Sequence, residues 1–350
     1  MISPMDFDRL VQTLTQTHES FQKQATQSIN GSLVMRNWLF GRYIVEFEQQ
    51  GDDRAQYGTR ILNNLADRLK DQGIKGCALS NLKSFRQFYQ TYPQISQTPS
   101  DQFLNISLPH SIGQNLRLSW SHYQILMSLQ NPDERSFYEI EAAANQWSTR
   151  ELDRQIASAL YDRLSLSRTP DEIKRLATQG QIITAPRDVI RDPYILEFLE
   201  LEARSTYSED ELETAIINKL QHFLLELGKG FLFEARQKRF SFEEDHFYID
   251  LVFYNRLLRC YVLIDLKIDK LTHQDLGQMQ MYVNYFDRHI KTPDENPTVG
   301  IVLCKRKKDA LVELTLPKDA NIFAAQYQLY LPSKEELQRQ IQEAAEEAES

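Results

Sequence analysis

Apolar positions follow two different periods along this chain. Up to about residue 165 they recur three or four apart, the spacing of helices that bury one face. The stretch "VMRNWLFGRYIVEFEQQ" sets Trp38, Ile44, Val45 and Phe47 at helical spacing. "YGTRILNNLADRLKDQG" repeats the pattern, with Gly73 as its stop. "LSNLKSFRQFYQTYPQ" predicts a third helix, with Ser80 as N-cap and Pro93 beyond its end. The polar stretch "QISQTPSDQFLNISLPHSIGQN" carries two prolines and reads as a loop or a short β-wing. Three further helices follow in "LSWSHYQILMSL", "DERSFYEIEAAANQ" and "STRELDRQIASALYDRL". The last opens on a capping box, Ser148 and Glu151, flanked by Trp147 and Leu152 as a hydrophobic staple. Short helices joined by tight turns predict a mainly α, winged-helix-like domain over residues 1–165.

Residues 166–192 hold two prolines and few large apolar residues, and read as a linker. From 193 the period changes. "SEDELETAIINKLQHFLLELGKG" predicts a helix with Leu212, Ile216, Leu220, Phe223, Leu224 and Leu227 along one side, ended by Gly228 and Gly230. Strand-like runs follow in "GFLFEARQKRFSF", "HFYIDLVFYN", "RCYVLIDLKI" and "TVGIVLCK", with "FAAQYQLYL" as a later one. The helix "HQDLGQMQMYVNYFDRHI" separates the third run from the fourth. The order predicts an α/β domain over 193–332, a central mixed sheet flanked by helices, and an acidic helical tail over 333–350.

Composition adjusts this picture only at the margins. The 350 residues carry a net charge of −9, so a surface coated in basic residues is excluded, although local basic patches remain compatible with a polyanionic partner. Cys77, Cys260 and Cys304 are sparse and form no CxxC or Cys/His cluster, which argues against zinc and for a reducing compartment. The N-terminus lacks the pattern of a signal peptide, and no run approaches a membrane span. The expectation is a cytoplasmic protein without a membrane partner.

The unusual feature is charge inside apolar strands. Alternate strand residues share a face. Ile249, Leu251 and Phe253 are therefore expected to point one way and Asp250 the other. In the next strand Val262, Ile264, Leu266 and Ile268 share one face, and Asp265 and Lys267 the opposite one. "NRLLR" is short enough to join the two as an antiparallel hairpin, which brings two carboxylates and one ammonium together. Such a pair of acids suits Mg²⁺, or Mn²⁺, which prefers oxygen ligands. A bound ion of this kind polarises a phosphoryl oxygen and activates water, and a lysine beside it orients that water or offsets charge. A D-x-K tripeptide alone is more often a solvated strand face. Here both faces are apolar around it, and a buried carboxylate needs a partner or a metal. Gln278 and Tyr282 lie four apart on the following helix and so share a face.

Asp250, Asp265-x-Lys267 and Gln278-xxx-Tyr282, preceded by an acidic helix, resemble the PD-(D/E)XK nuclease superfamily, and the Q-xxx-Y feature resembles its RecB-like branch. The longer phrases "LLELGKGF", "FYIDLVFYNRLLRC", "GQMQMY" and "DENPTVGIVLCK" resemble the C-terminal nuclease domain of the YhcG-like family. "NWLFGRYIVEFEQ", "RAQYGTRIL", "LSWSHY" and "WSTRELDRQI" resemble that family's winged-helix-like N-terminal domain. The resemblance covers most of the chain and implies a restriction-endonuclease-like C-terminal fold. It implies that Asp250 and Asp265 bind metal, that Lys267 acts at the attacking water, and that Gln278 and Tyr282 support the site or contact the strand. A glutamate on the first helix often completes such sites; Glu213 is the best match and Glu211 the competitor. Two departures stand out. Asp265 occupies a position where the family usually has Glu, one methylene longer, and Ile249 stands where the superfamily name has Pro.

Other charges have two readings each. Arg150 and Arg154, four apart, either contact phosphates and base edges or pair with Glu151 and Asp153. Lys305, Arg306, Lys307 and Lys308 in "CKRKKDA" either line a phosphate path or solvate a strand end. The whole predicts a Mg²⁺-dependent nuclease acting on nucleic acid, DNA first, with the N-terminal domain positioning substrate or partner. An inactive nucleic-acid-binding or interaction scaffold and an RNA-processing nuclease are the rivals, and assembly as a homo-oligomer stays open.

Overall fold

The computed structural model describes residues 7–49, 58–95, 116–165, 169–201, 206–242, 244–317 and 319–331. The chain divides into two units, Met1–Asp153 and Arg154–Ser350. Residues 96–115, which hold most of the expected loop or wing, and the acidic tail from 333 lie outside the described residues.

The first unit is helical. It comprises α1 (Phe7–Gln49), α2 (Gly58–Asp71), α3 (Leu79–Thr91), α4 (Trp120–Leu126), α5 (Pro132–Asn145) and the first turn of α6 (Thr149–Ala157). Trp38, Ile44 and Val45 are buried on α1, whereas Phe47 is exposed. Phe47 sits about 200° around the helix from Val45, so it cannot share its face. Gly41 lets α1 cross α3 closely, since a Cβ there would meet the Phe85 carbonyl oxygen at 1.9 Å. The Trp38 indole N–H donates to the Tyr92 carbonyl at 2.9 Å. The N-cap of α3 is Ala78, without a side-chain cap, and Ser80 lies inside the helix rather than at its start. The α6 cap falls where its sequence places it, with the Glu151 amide donating to Ser148 Oγ at 3.1 Å.

The second unit contains the rest of α6, then α7 (Leu160–Ser165), α8 (Pro170–Gln179), α9 (Glu209–Asn218), α10 (Leu220–Leu227), α11 (His273–Tyr285) and α12 (Asp309–Thr315). Its strands are β1 (Tyr194–Ile195), β2 (Phe231–Phe242), β3 (Asp245–Asn255), β4 (Cys260–Lys270), β5 (Val299–Arg306) and β6 (Ile322–Gln328). They form one mixed sheet in the order β1-β6-β5-β4-β3-β2. The β2–β3 and β3–β4 pairs are antiparallel, and β4–β5 and β5–β6 are parallel. Residues 166–192, read from sequence as a linker, contain α8 and a 3-10 turn at Pro186–Val189.

Helices cover both faces of the sheet. Leu212, Ile216, Phe223 and Leu227 of α9 and α10 pack on Leu251, Phe253, Val262, Ile264 and Leu266. Leu276, Met279, Tyr282 and Val283 of α11 pack with Val252, Leu263 and Val302 on the other side. The α11 helix approaches β5 at Gly300, where a Cβ would come within 2.6 Å of Met279 Cγ. The single helix expected over 209–227 is two, because Lys219 leaves helical geometry at φ −114°, ψ 28°. Ile216, Ile217 and Asn218 just before it are weak helix formers.

A buried ionic cluster ties α6, α7, the segment before β1, and α10 together. Glu226 is fully buried and lies within 2.7 Å of Arg163 Nη1, 3.3 Å of Arg191 Nη1 and 3.4 Å of Arg154 Nη2. It also accepts from the Ile195 amide at 3.0 Å. Burial alone would raise the Glu226 carboxyl, but the guanidiniums, Arg163 foremost, outweigh it and hold the group down at about 2.

Candidate active site

The strands β3 and β4 form the expected hairpin, with cross-strand pairs from Asn255–Cys260 to Leu251–Ile264. Beyond that pair the ladder stops and a side chain takes over. Asp250 Oδ2 accepts from the Leu266 amide at 2.8 Å. A carboxylate has thus replaced a backbone carbonyl as partner, which pins Asp250 against β4. The switch also breaks the expected alternation. Ile249 packs with the α11 core rather than sharing the face of Leu251, which packs beneath α9. The expected common face of Ile249, Leu251 and Phe253 therefore holds only for the last two.

Asp265 is 3% exposed, and Lys267, two residues on, places its Nζ 2.9 Å from Asp265 Oδ2. The same ammonium lies 3.5 Å from Glu209 Oε2 at the first turn of α9. Glu211 is used elsewhere, in the capping box with Ser208. Glu213 is buried and faces β2, where it accepts from Arg236 Nε and from the side-chain amide of Gln237. That amide also donates to Asp250 Oδ1 at 3.0 Å. One NH2 group, with two hydrogens to give, therefore links Glu213 to Asp250. Gln237 reaches both through a left-handed backbone, φ 46°, unusual for a residue with a Cβ.

On α11, Gln278 and Tyr282 meet as their spacing implies. The Gln278 amide donates to the Tyr282 hydroxyl, which donates at 2.9 Å to the carbonyl of Tyr248 in β3. Burial pushes the Tyr282 phenol up to about 12, so it stays a donor at neutral pH.

The basic candidates are placed by their own contacts. Arg150 is exposed in the first turn of α6. The guanidinium of Arg154 is engaged by Glu197 at 2.7 Å and by Glu226, and lies over the Phe198 ring at 5.2 Å. Lys307 is held by Asp192 and, at 2.8 Å, by Asp309. Arg306 pairs with Asp269 at 3.1 Å, and Lys305 sits 5.6 Å from the Tyr207 ring.

Two residues were invisible to sequence reasoning. Arg236 and Gln237 lie in an ordinary-looking strand, and no spacing marks a strand residue that turns left-handed. The sequence "EARQKRF" offered only its charge as a signal.

The electrostatics favour a cation. Burial, and then the charge of Asp265, pushes the Asp250 carboxyl up to about 7. Burial also raises Asp265, against the pull of Lys267. Burial disfavours the Lys267 charge, but Asp265 and then Glu209 hold the ammonium above its usual range, so it remains charged. Among the described residues, no three His, Cys, Asp or Glu side chains are grouped to hold a metal ion. Asp250 feels the charge of Asp265, and Glu213 lies one amide away from Asp250. Two acids fit a hard cation that keeps several waters and shares a substrate phosphate. Among the described residues, no helix is long and apolar enough to cross a membrane.

Residues 187–342 match the model of the YhcG PDDEXK nuclease domain, and residues 13–163 that of the DUF1016 N-terminal domain. The Escherichia coli (strain K12) protein named "Putative nuclease YhcG" is 36% identical over 336 residues, covering 91% of this chain and 89% of the relative. A crystal structure of a repair endonuclease from Pyrococcus abyssi aligns with 37% of this chain and 50% of its own, at 18% identity and a TM-score of 0.25, too distant to argue from. This chain spans about half the length of that endonuclease. With both domain models matched and a full-length relative above a third identical, the chain belongs to the YhcG family of PD-(D/E)XK nuclease proteins.

Proposed function

We propose that this protein is a Mg²⁺- or Mn²⁺-dependent nuclease that hydrolyses phosphodiester bonds, with DNA as its first substrate. The observation that carries the reading is the meeting of Asp250, Asp265 and Lys267 where the β3–β4 ladder ends. Asp250 and Asp265 would hold the ion, and Glu213 would complete its surroundings through Gln237. When bound, such an ion polarises the phosphoryl oxygen and lowers the pKa of water.

The chain's own groups supply the rest. Lys267 is a cation at neutral pH, so it does not accept a proton; it orients the water by donating to it, or offsets charge on the phosphoryl oxygens. Its distance from Asp265 and Glu209 fixes where that positive charge stands. Gln278 and Tyr282 act from behind, by holding the β3 backbone beside Asp250. The N-terminal domain would position the substrate or a partner.

The test is cleavage of labelled DNA and RNA, single- and double-stranded, with and without Mg²⁺. Wild type is expected to cut in Mg²⁺ only, and Asp265→Ala and Lys267→Ala to lose at least a hundredfold in rate. Equal cutting by all three proteins would sink the mechanism. One observation favours a non-cleaving scaffold instead: Glu213 is already satisfied by Arg236 and Gln237. A scaffold would show no Mn²⁺-dependent rise in melting temperature.

A further inference from the structure

Because β3 leaves β4 at Leu251, the β2–β3 hairpin runs on alone past the acidic site. Five more cross-strand pairs follow, from Lys238–Ile249 to Phe242–Asp245. One face of this arm is covered. Phe240 stacks on Tyr285 with ring centroids 4.1 Å apart and on Phe247 at 5.4 Å, and Ile249 joins the same core. Strand alternation sends the intervening pairs, Arg239–Tyr248 and Ser241–His246, to the opposite face. All four are exposed, and Tyr248 is 47% exposed although it is large and aromatic.

Tyr248 is also the residue whose backbone is fixed from behind. Its carbonyl takes the hydroxyl of Tyr282, itself held by Gln278. It stands two residues from Asp250, a separation of about 7 Å along a strand. A rigid backbone with a free ring beside the acidic site is a platform for stacking. A positive edge strand also deters pairing between sheet edges. That role needs neither an exposed tyrosine nor a strut beneath it.

We propose that the exposed face of this arm is a track for an unpaired nucleic-acid strand, with Tyr248 stacking on a base next to the scissile bond and Arg239 contacting a phosphate. The inference rests on the nuclease reading above and narrows its substrate. A duplex hides the faces of its bases inside the stack, whereas an unpaired strand offers them to an aromatic ring. The substrate class is therefore a single strand, or the single-stranded part of a branched or frayed duplex.

Binding of the full chain is measured by fluorescence anisotropy in EDTA, so that nothing is cut. The probes are labelled oligothymidylate, oligouridylate and a blunt DNA duplex of equal length. Tyr248→Ala is expected to weaken single-strand binding roughly 5- to 100-fold and to leave duplex binding unchanged. Tyr248→Phe keeps the platform and should bind as wild type. Arg239→Ala should weaken every probe and reduce the salt dependence by about one phosphate contact. The thymidine and uridine probes separate DNA from RNA as the strand recognised. Single-strand binding by Tyr248→Ala equal to wild type overturns the track, as does an equal loss on the duplex. Cleavage by wild type is scored separately in Mg²⁺. Cutting without Tyr248-dependent binding removes the track and leaves the nuclease. Tyr248-dependent binding without cutting does the reverse.

Discussion

At the scale of single residues, the site is defined by an imbalance of charge. Asp250 and Asp265 share one ammonium, and the Asp250 carboxyl is raised from 3.8 to about 7 by burial and by its neighbour. A raised carboxyl makes the folded state bind a proton that the unfolded chain has already lost. The sign follows. Stability from this group is fully present below about pH 4 and is lost as pH rises through about 7. The ceiling on that loss is about 4 kcal/mol, shared with Asp265. Asp250→Asn removes the charge while keeping an oxygen for the Leu266 amide. In EDTA it should be more stable than wild type by about 1–3 kcal/mol at pH 8, and by no more than about 0.5 kcal/mol at pH 4. Urea denaturation at both values checks this, and a variant no more stable at pH 8 would mean that burial and the charge of Asp265 do not raise the Asp250 carboxyl. Mg²⁺ should close the gap at pH 8 by stabilising wild type alone.

At the scale of elements, sequence periodicity located nearly everything that repeats. The β3–β4 hairpin, the doubly apolar strands of a central sheet and the i, i+4 pair Gln278–Tyr282 were all legible, because each rests on a period of two or of 3.6. What escaped was aperiodic. Ile249 left its expected face because a side chain replaced the ladder at Asp250, and Gln237 joined Glu213 to Asp250 from a left-handed turn no pattern encodes. Arg154 also engages Glu197 and Glu226, 43 and 72 residues away in sequence, contacts that its spacing from Arg150 does not encode. The same long-range logic makes α10 depend on its arginines. Glu226→Gln would leave the buried Arg163 and Arg191 guanidiniums without their carboxylate, while Arg154 keeps Glu197, and should cost about 3–5 kcal/mol. The Glu226 carboxyl is held at about 2, so the stability it supplies is complete above about pH 4.5 and lost as pH falls through about 2. Denaturation of Glu226→Gln at neutral pH tests the first claim, and a loss under about 1 kcal/mol would refute it.

At the scale of the whole molecule, the buried cluster decides where the nuclease unit can be cut free. Three candidate starting points compete: the change of period at 193, the family match at 187 and the division at Arg154. A fragment from 193 has lost Arg154, Arg163 and Arg191, and it buries Glu226 with no arginine from the cluster. A fragment from 187 keeps Arg191 alone. One beginning at Arg154 keeps all three, and one beginning near 148 keeps them together with the Ser148 cap that starts α6. Removing one partner of a buried pair costs about 3–5 kcal/mol, against a total of about 5–15 kcal/mol for a domain. The 148–350 fragment is therefore expected to unfold cooperatively, and the 193–350 fragment to be largely unfolded or aggregated. Adding Glu226→Met to the shortest fragment discriminates the cause. If the missing arginines are the fault, an apolar side chain in that place should recover part of the lost stability. If the fragment instead fails for want of the α6–α8 packing surface, Glu226→Met will change nothing, and the cluster is not what sets the boundary.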